Sequence, residues 1–88
     1  MENETTIYGK TVSQKEAKSR FGVGDIVYAL DISNFEIKIE PAKILKIILF
    51  DDGVITYDIE YVSNKKITTL PHTWVFKTKE EGNKFLSK

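Results

Sequence analysis

The chain has 88 residues, with 13 basic and 13 acidic side chains for a net charge of zero, one histidine, no cysteine and 41% hydrophobic residues. That length makes one domain, and the composition excludes a disulfide staple and a structural zinc site, so packing must hold the fold. Zero net charge argues against a strongly nucleic-acid-binding or membrane-surface protein. The acidic, polar start Met1–Thr6 has no leader pattern, and no apolar run approaches the ~18 residues of a membrane span, so a cytoplasmic protein without membrane contact is expected.

Residues 1–21 are polar, with Ile7, Tyr8, Val12 and Phe21 as exceptions. Ser13-Gln14-Lys15-Glu16 fits a capping box and predicts a short helical turn over Gln14 to Ser19. The turn carries no apolar stripe, which predicts a mobile or loosely docked arm. If the arm docks, Ile7 and Tyr8 are the expected anchors.

Val23-Gly24-Asp25 reads as a turn into a first strand, Ile26 to Leu30. Val27 and Ala29 share one face of it; Ile26, Tyr28 and Leu30 share the other. Both faces are apolar, as fits a strand lining a barrel and covered outside by an arm or terminal helix. Asp31 to Asn34 reads as a loop. Phe35 to Glu40 alternates, with Phe35, Ile37 and Ile39 on one side and Glu36, Lys38 and Glu40 on the other. Pro41 lacks a ladder donor and marks an edge, a bulge or a bend. Ala42 to Phe50 is the most hydrophobic stretch. Its Lys43 and Lys46 have a spacing that also suits a helix, but its β-branched content favours a strand.

Asp51-Asp52-Gly53 is the strongest local signal, a tight hairpin turn. Val54 to Val62 returns in strict alternation, with Ile55, Tyr57, Ile59 and Tyr61 on one face. Ser63 to Lys66 is a second turn and Ile67 to Leu70 a further strand. Pro71-His72-Thr73-Trp74 predicts a 3₁₀-like turn before a last short strand, Val75-Phe76. Thr78-Lys79-Glu80-Glu81 is a second capping box, opening a helix to about Ser87 that docks Phe85 and Leu86. Gly82 weakens that helix by roughly 1 kcal/mol relative to Ala, or permits close packing. The expected core is Val27, Ala29, Ile37, Ala42, Ile44, Tyr57, Ile59, Ile67, Val75 and Phe76.

This rhythm of short strands and tight turns predicts a small closed β-barrel. Gly24-Asp25-Ile26-Val27-Tyr28-Ala29, Pro41 to Leu45, Asp52-Gly53, Tyr57-Asp58-Ile59 and Trp74-Val75-Phe76 follow in an order that resembles an SH3-like barrel of the Tudor and KOW type. Val75 to Glu81 also resembles small bacterial and bacteriophage proteins in which such a barrel precedes a short acidic-started helix. The resemblance spans about residues 22–86. It implies a mainly all-β domain: an SH3-like five-stranded barrel with a short C-terminal α-helix and a polar N-terminal arm. Its motifs encode turns and core positions, so they speak to the fold and leave the ligand open.

Tudor-like barrels hold methylated side chains in aromatic cages, because ring faces attract cations. Tyr28, Phe35, Tyr57, Tyr61 and Trp74 are the available rings. Tyr57 and Tyr61 share a face with Ile55 and Ile59 and are expected to fill the interior. That leaves Tyr28, Phe35 and Trp74 as candidate partner-binding residues, with a barrel plug as the competing role of Trp74. A proline-rich ligand would need a groove built from Tyr8, Tyr28, Pro71 and Trp74, and the chain lacks the acidic run that makes such a groove specific. KOW-like barrels contact RNA through basic loops. Lys43, Lys46, Lys65 and Lys66 are the corresponding nucleic-acid candidates, and Lys77 and Lys79 are expected to gather on the same side.

Catalysis has little support: His72 sits in a turn, and Asp51-Asp52 is explained by turn chemistry. No cofactor and no metal are expected. The expected role is a non-catalytic module engaging a protein partner, of the kind a phage or mobile element carries as an accessory protein. The alternative is a nucleic-acid-binding barrel. A third reading is a weak homo-oligomer that pairs the open edge of Phe35 to Glu40.

Overall fold

The computed structural model describes residues 9–33 and 35–87. Its six strands are β1 (Gly9–Val12), β2 (Ile26–Ser33), β3 (Glu36–Phe50), β4 (Ile55–Tyr61), β5 (Ile67–Pro71) and β6 (Val75–Phe76). Helix α1 (Gln14–Ala17) follows β1, a 3₁₀ turn (His72–Trp74) joins β5 to β6, and α2 (Lys79–Leu86) ends the chain. The protein is thus mainly β with a short C-terminal helix. All pairings are antiparallel, in the order β5-β4-β3-β2-β6, and β1 joins β3 off that path. Among the described residues β5 and β6 do not pair with each other, so the sheet is open, and it has six strands where five were expected.

Local chemistry sets the joints. Phe50 and Val54 close the β3–β4 turn by a backbone bond, Gly53 adopts φ 89°, and the Asp52 carboxylate accepts from the Val54 amide. The aspartate side chain thus mimics a backbone turn while glycine supplies the left-handed residue. Ser13 Oγ accepts from the Glu16 amide at 3.1 Å, and Thr78 Oγ1 accepts from the Glu81 amide at 3.1 Å. Both helix starts are capped as the sequence predicts. The returning bond of the second box comes from the Lys77 amide to Glu81 Oε1, one residue before the cap.

Strand β3 organises the sheet. Pro41 does not divide it: the strand runs unbroken for 15 residues. The Pro41 carbonyl accepts from Val62, just past the end of β4, so the missing N–H falls where no ladder bond is required. The irregularity lies further on, where the β4 register shifts between Ile44 and Lys46 and leaves Leu45 bulged. Two residues then oppose one, and the facing pattern resets. Hence Ile44 and Ile47, three apart, are both fully buried. The lysine spacing that imitated a helix is the trace of this bulge.

The main core joins Val27 and Ala29 of β2, Ala42, Ile44 and Ile47 of β3, Tyr57, Ile59 and Tyr61 of β4, Leu70 of β5 and Val75 of β6. A second cluster, Leu30, Ile39 and Phe76, lies on the other face of β2 and β3. Helix α2 covers it, as two apolar faces on β2 require. Gly82 is the point of closest approach: a Cβ there would come within 2.9 Å of three Ile39 side-chain atoms. Phe85 tilts onto Phe76 at 5.4 Å but stays 40% exposed.

Three expectations are corrected. Ile37 and Ile67 are not core; they are 53% and 60% exposed. Ile67 stands opposite Glu60, whereas Thr68 and Leu70 stand opposite the buried Ile59 and Tyr57, so Ile67 faces outward. Asp31 to Ser33 is not loop but the end of β2, which pairs with β3 as far as Ser33↔Glu36. The N-terminal segment is not a loose arm. Strand β1 pairs Ile47 to Phe50 on the edge of β3 opposite β4, along the stretch that β2 does not reach. Val12, Ala17 and Phe21 are buried in the main core, and Ser19 Oγ bonds the Tyr57 hydroxyl. Backbone pairing, which needs no apolar stripe, docks the segment. Its expected anchors Ile7 and Tyr8 lie outside the described residues.

Candidate interaction surface

The candidates Tyr28, Phe35 and Trp74 do not form one site. Tyr28 and Trp74 are half-buried and both pack on the Leu30–Ile39–Phe76 cluster, with Trp74 also touching the main core. Trp74 is therefore a plug between two clusters. Phe35 stands apart at the tip of the β2–β3 hairpin, fully exposed, with φ 62°.

That tip projects from the sheet. Strand β6 pairs β2 only at Tyr28 and Ala29, and β4 begins its pairing with β3 at Ala42. From Asp31 to Ser33 and from Glu36 to Glu40, the described residues form a two-stranded ribbon with both outer edges open. Ile32 and Ile37 are direct cross-strand partners, and they are 55% and 53% exposed. They continue outward the face whose inner pair, Leu30 and Ile39, is sealed beneath α2. The opposite face carries Asp31, Glu36, Lys38 and Glu40, with Lys38 Nζ 3.4 Å from Glu36 Oε1.

The nucleic-acid candidates do not build a basic field. Lys43 stands directly opposite Glu60, and Lys46 directly opposite Asp58. Lys65, at φ 62°, and Lys66 belong to the β4–β5 turn. Cross-strand carboxylates offset the two strand lysines, which weakens any phosphate-directed potential.

One cleft lies away from the ribbon, and a smaller hollow borders the ribbon's base. The cleft, of about 510 Å³, is lined by Arg20, Phe21, Asp25, Ile26, Lys77 and Glu81. Arg20 is already engaged there: it lies 4.7 Å above the Phe21 ring and donates to the Val75 carbonyl at 3.1 Å. The cleft's charges are mixed in sign. That smaller hollow, of about 150 Å³, is lined by Asp31 and Ile32 of the ribbon and by Tyr61, Lys66, Leu70 and Trp74, among others. Among the described residues, no group of three His, Cys, Asp or Glu side chains is placed to hold a metal ion. No described helix is long and apolar enough to cross a membrane.

The acidity of the Tyr61 side chain is clearly displaced. Burial first, and then the negative charges of Asp31 and Glu40, push its phenol up to about 12. Its hydroxyl donates to the Leu30 carbonyl, tying β4 to β2. A folded-state value above the unfolded value of about 10 means that the fold favours the neutral phenol. The resulting stability is fully present below about pH 10 and is lost as pH rises toward about 12. Alkaline titration of stability is therefore expected to show a decline in that window, and Tyr61→Phe to flatten it while costing about 1 kcal/mol at neutral pH. An unchanged alkaline slope in the Phe variant would assign the decline to another group.

No protein-family model, curated protein or solved structure matches this chain. Sequence reasoning picked Phe35 but missed Ile32 as its neighbour, because it placed Ile32 in a loop. The available signal was the apolar–acidic–apolar run Leu30-Asp31-Ile32, which continues the period of β2 past its expected end.

Proposed function

We propose that the chain is a non-catalytic binding module that engages a protein partner through the projecting end of the β2–β3 hairpin. The observation that carries this reading is Phe35. A bulky residue in the left-handed region costs of order 1–3 kcal/mol. Asparagine or glycine would occupy that turn at less cost. Here the strained position carries a fully exposed phenyl ring beside the exposed pair Ile32 and Ile37. The exposed ring buries nothing in the described fold, whereas a contact surface gains an aromatic anchor.

The frame proposed for the module is the SH3-like barrel. It is supported by the succession of a Gly-Asp-opened strand, a long second strand, an Asp-Gly hairpin, a 3₁₀ turn and a short final strand. An accessory protein of a phage or mobile element fits the same resemblance. Nucleic acid is the less favoured ligand. The ribbon carries Asp31, Glu36 and Glu40 against Lys38, and the strand lysines face carboxylates.

A photoreactive phenylalanine analogue at position 35 tests the surface in cells, with the same analogue at the exposed Lys84 of α2 as control. Discrete protein adducts from position 35 that are absent from position 84 are the expected result. Adducts equal at both positions, or none from position 35, would overturn the reading.

A further inference from the structure

We infer that the partner of this ribbon is a second copy of the chain, paired antiparallel along the outer edge of β3 about a two-fold axis at Ile37. This inference rests on the hairpin end being a contact surface, and it names what the surface contacts. Backbone direction comes first. The Ile44 amide bonds Asp25 toward β2, while the Pro41 carbonyl accepts from Val62 on the β4 side. Residues in step with Pro41, namely Ile39 and Ile37, therefore turn their N–H and C=O groups to the same outer side. Among the described residues no strand meets them there, because β4 pairs β3 only from Ala42 onward. An open edge of this kind is a template for another strand.

Charge then selects the register. With the axis at Ile37, Ile37 of each copy exchanges both backbone bonds with its counterpart, and Phe35 stands opposite Ile39 of the second copy. Glu36 falls opposite Lys38 of the second copy, twice by symmetry, in the closer-spaced non-hydrogen-bonded positions. The pair Glu36 and Lys38, 3.4 Å apart within one chain, becomes a square of alternating charges. Moving the axis by one residue to Lys38 sets Glu36 against Glu40. Moving it to Ile39 sets Ile37 against Pro41, whose carbonyl is taken by Val62. Only the Ile37 register joins complementary charges, free backbone groups and one apolar face bearing Ile37 and Ile32 of both copies. The contact is isologous, so it closes at two copies and does not propagate.

Sedimentation equilibrium over a concentration series tests this. Wild type is expected to rise toward twice the 10.1 kDa monomer mass. Glu36→Lys alone and Lys38→Glu alone each set like charges face to face and are expected to weaken self-association about tenfold or more. The two single variants mixed together, and the double variant Glu36→Lys with Lys38→Glu, each restore opposite charges and are expected to regain the dimer. Both side chains are exposed, so the fold tolerates the swaps. Ile37→Pro removes the outward amide without breaking a β2–β3 bond and is expected to give a monomer. A wild type that stays monomeric at millimolar concentration overturns the inference, as does a dimer indifferent to all these changes. Photo-adducts from position 35 to a different protein, with monomeric sedimentation, would sink the self-pairing and leave the binding end standing. Absence of both adducts and dimer would sink both.

Discussion

Ile59→Asp is expected to abolish cooperative folding at neutral pH. Ile59 is fully buried in the middle of β4, paired with Ile44 on one side and Thr68 on the other. The substitution removes an apolar side chain from the main core and puts a carboxylate where no described side chain carries an opposite charge. An isolated buried charge is costly enough that the group shifts its pKa or the chain unfolds. Losses above about 4–5 kcal/mol are exceptional and come from this kind of mechanism. A chain of this size commands a total of about 4–13 kcal/mol, so the loss consumes most of it. The aspartate's folded-state pKa would be raised, so the penalty applies in full above that value and eases as pH falls through it. A partial recovery of the thermal transition near pH 4 is the signature that separates charge burial from a simple cavity. Circular dichroism melts at pH 7 and pH 4 read both effects. A cooperative melt close to wild type at pH 7 would reject this core.

Phe21→Ala is expected to cost about 3–5 kcal/mol, the range for removing a large aromatic from a closed core. Phe21 lies in the stretch that reads as a polar arm, yet it is 5% exposed. Its ring meets Tyr57 edge-on at 6.0 Å and supports the Arg20 guanidinium above it. Ser19 Oγ reaches the Tyr57 hydroxyl and also accepts from the Phe21 amide, so one tyrosine of β4 anchors this whole turn. Removing the ring opens a cavity beside Tyr57 and frees the guanidinium. Denaturant unfolding measures the loss. A cost under about 1 kcal/mol would mean that the N-terminal segment contributes little to the core.

The proposed binding surface and the core make opposite demands on the same hairpin. Leu30 and Ile39 are closed beneath α2, and the next pair outward, Ile32 and Ile37, stands open. The short C-terminal helix thus sets the boundary between the covered and the exposed part of this face. Gly82 lets α2 sit close over Ile39, and nothing described extends the cover to Ile37.

Much of this was legible in the residues alone. Ser13 and Thr78 announce helix starts, Asp52-Gly53 announces a hairpin, and Pro71 to Trp74 announces the 3₁₀ turn, because each satisfies its own backbone within a few residues. Alternation from Ile55 to Tyr61 assigns the inner face of β4 for the same local reason. The rest depended on what lies across the sheet. Period-two patterning says which way Ile37 and Ile67 point but not whether anything covers them, and α2 and β5 leave both uncovered. The bulge at Leu45 arises only when β3 and β4 are laid side by side. The docking of Gly9 to Val12 comes from the free edge of a strand some forty residues further along, a long-range pairing that no local window contains. The chain by itself determined its turns, caps and facing pattern, which are local backbone chemistry. The extent of each pairing, the open ends of the sheet and the exposed tip were decided by tertiary contacts, because burial belongs to two surfaces at once.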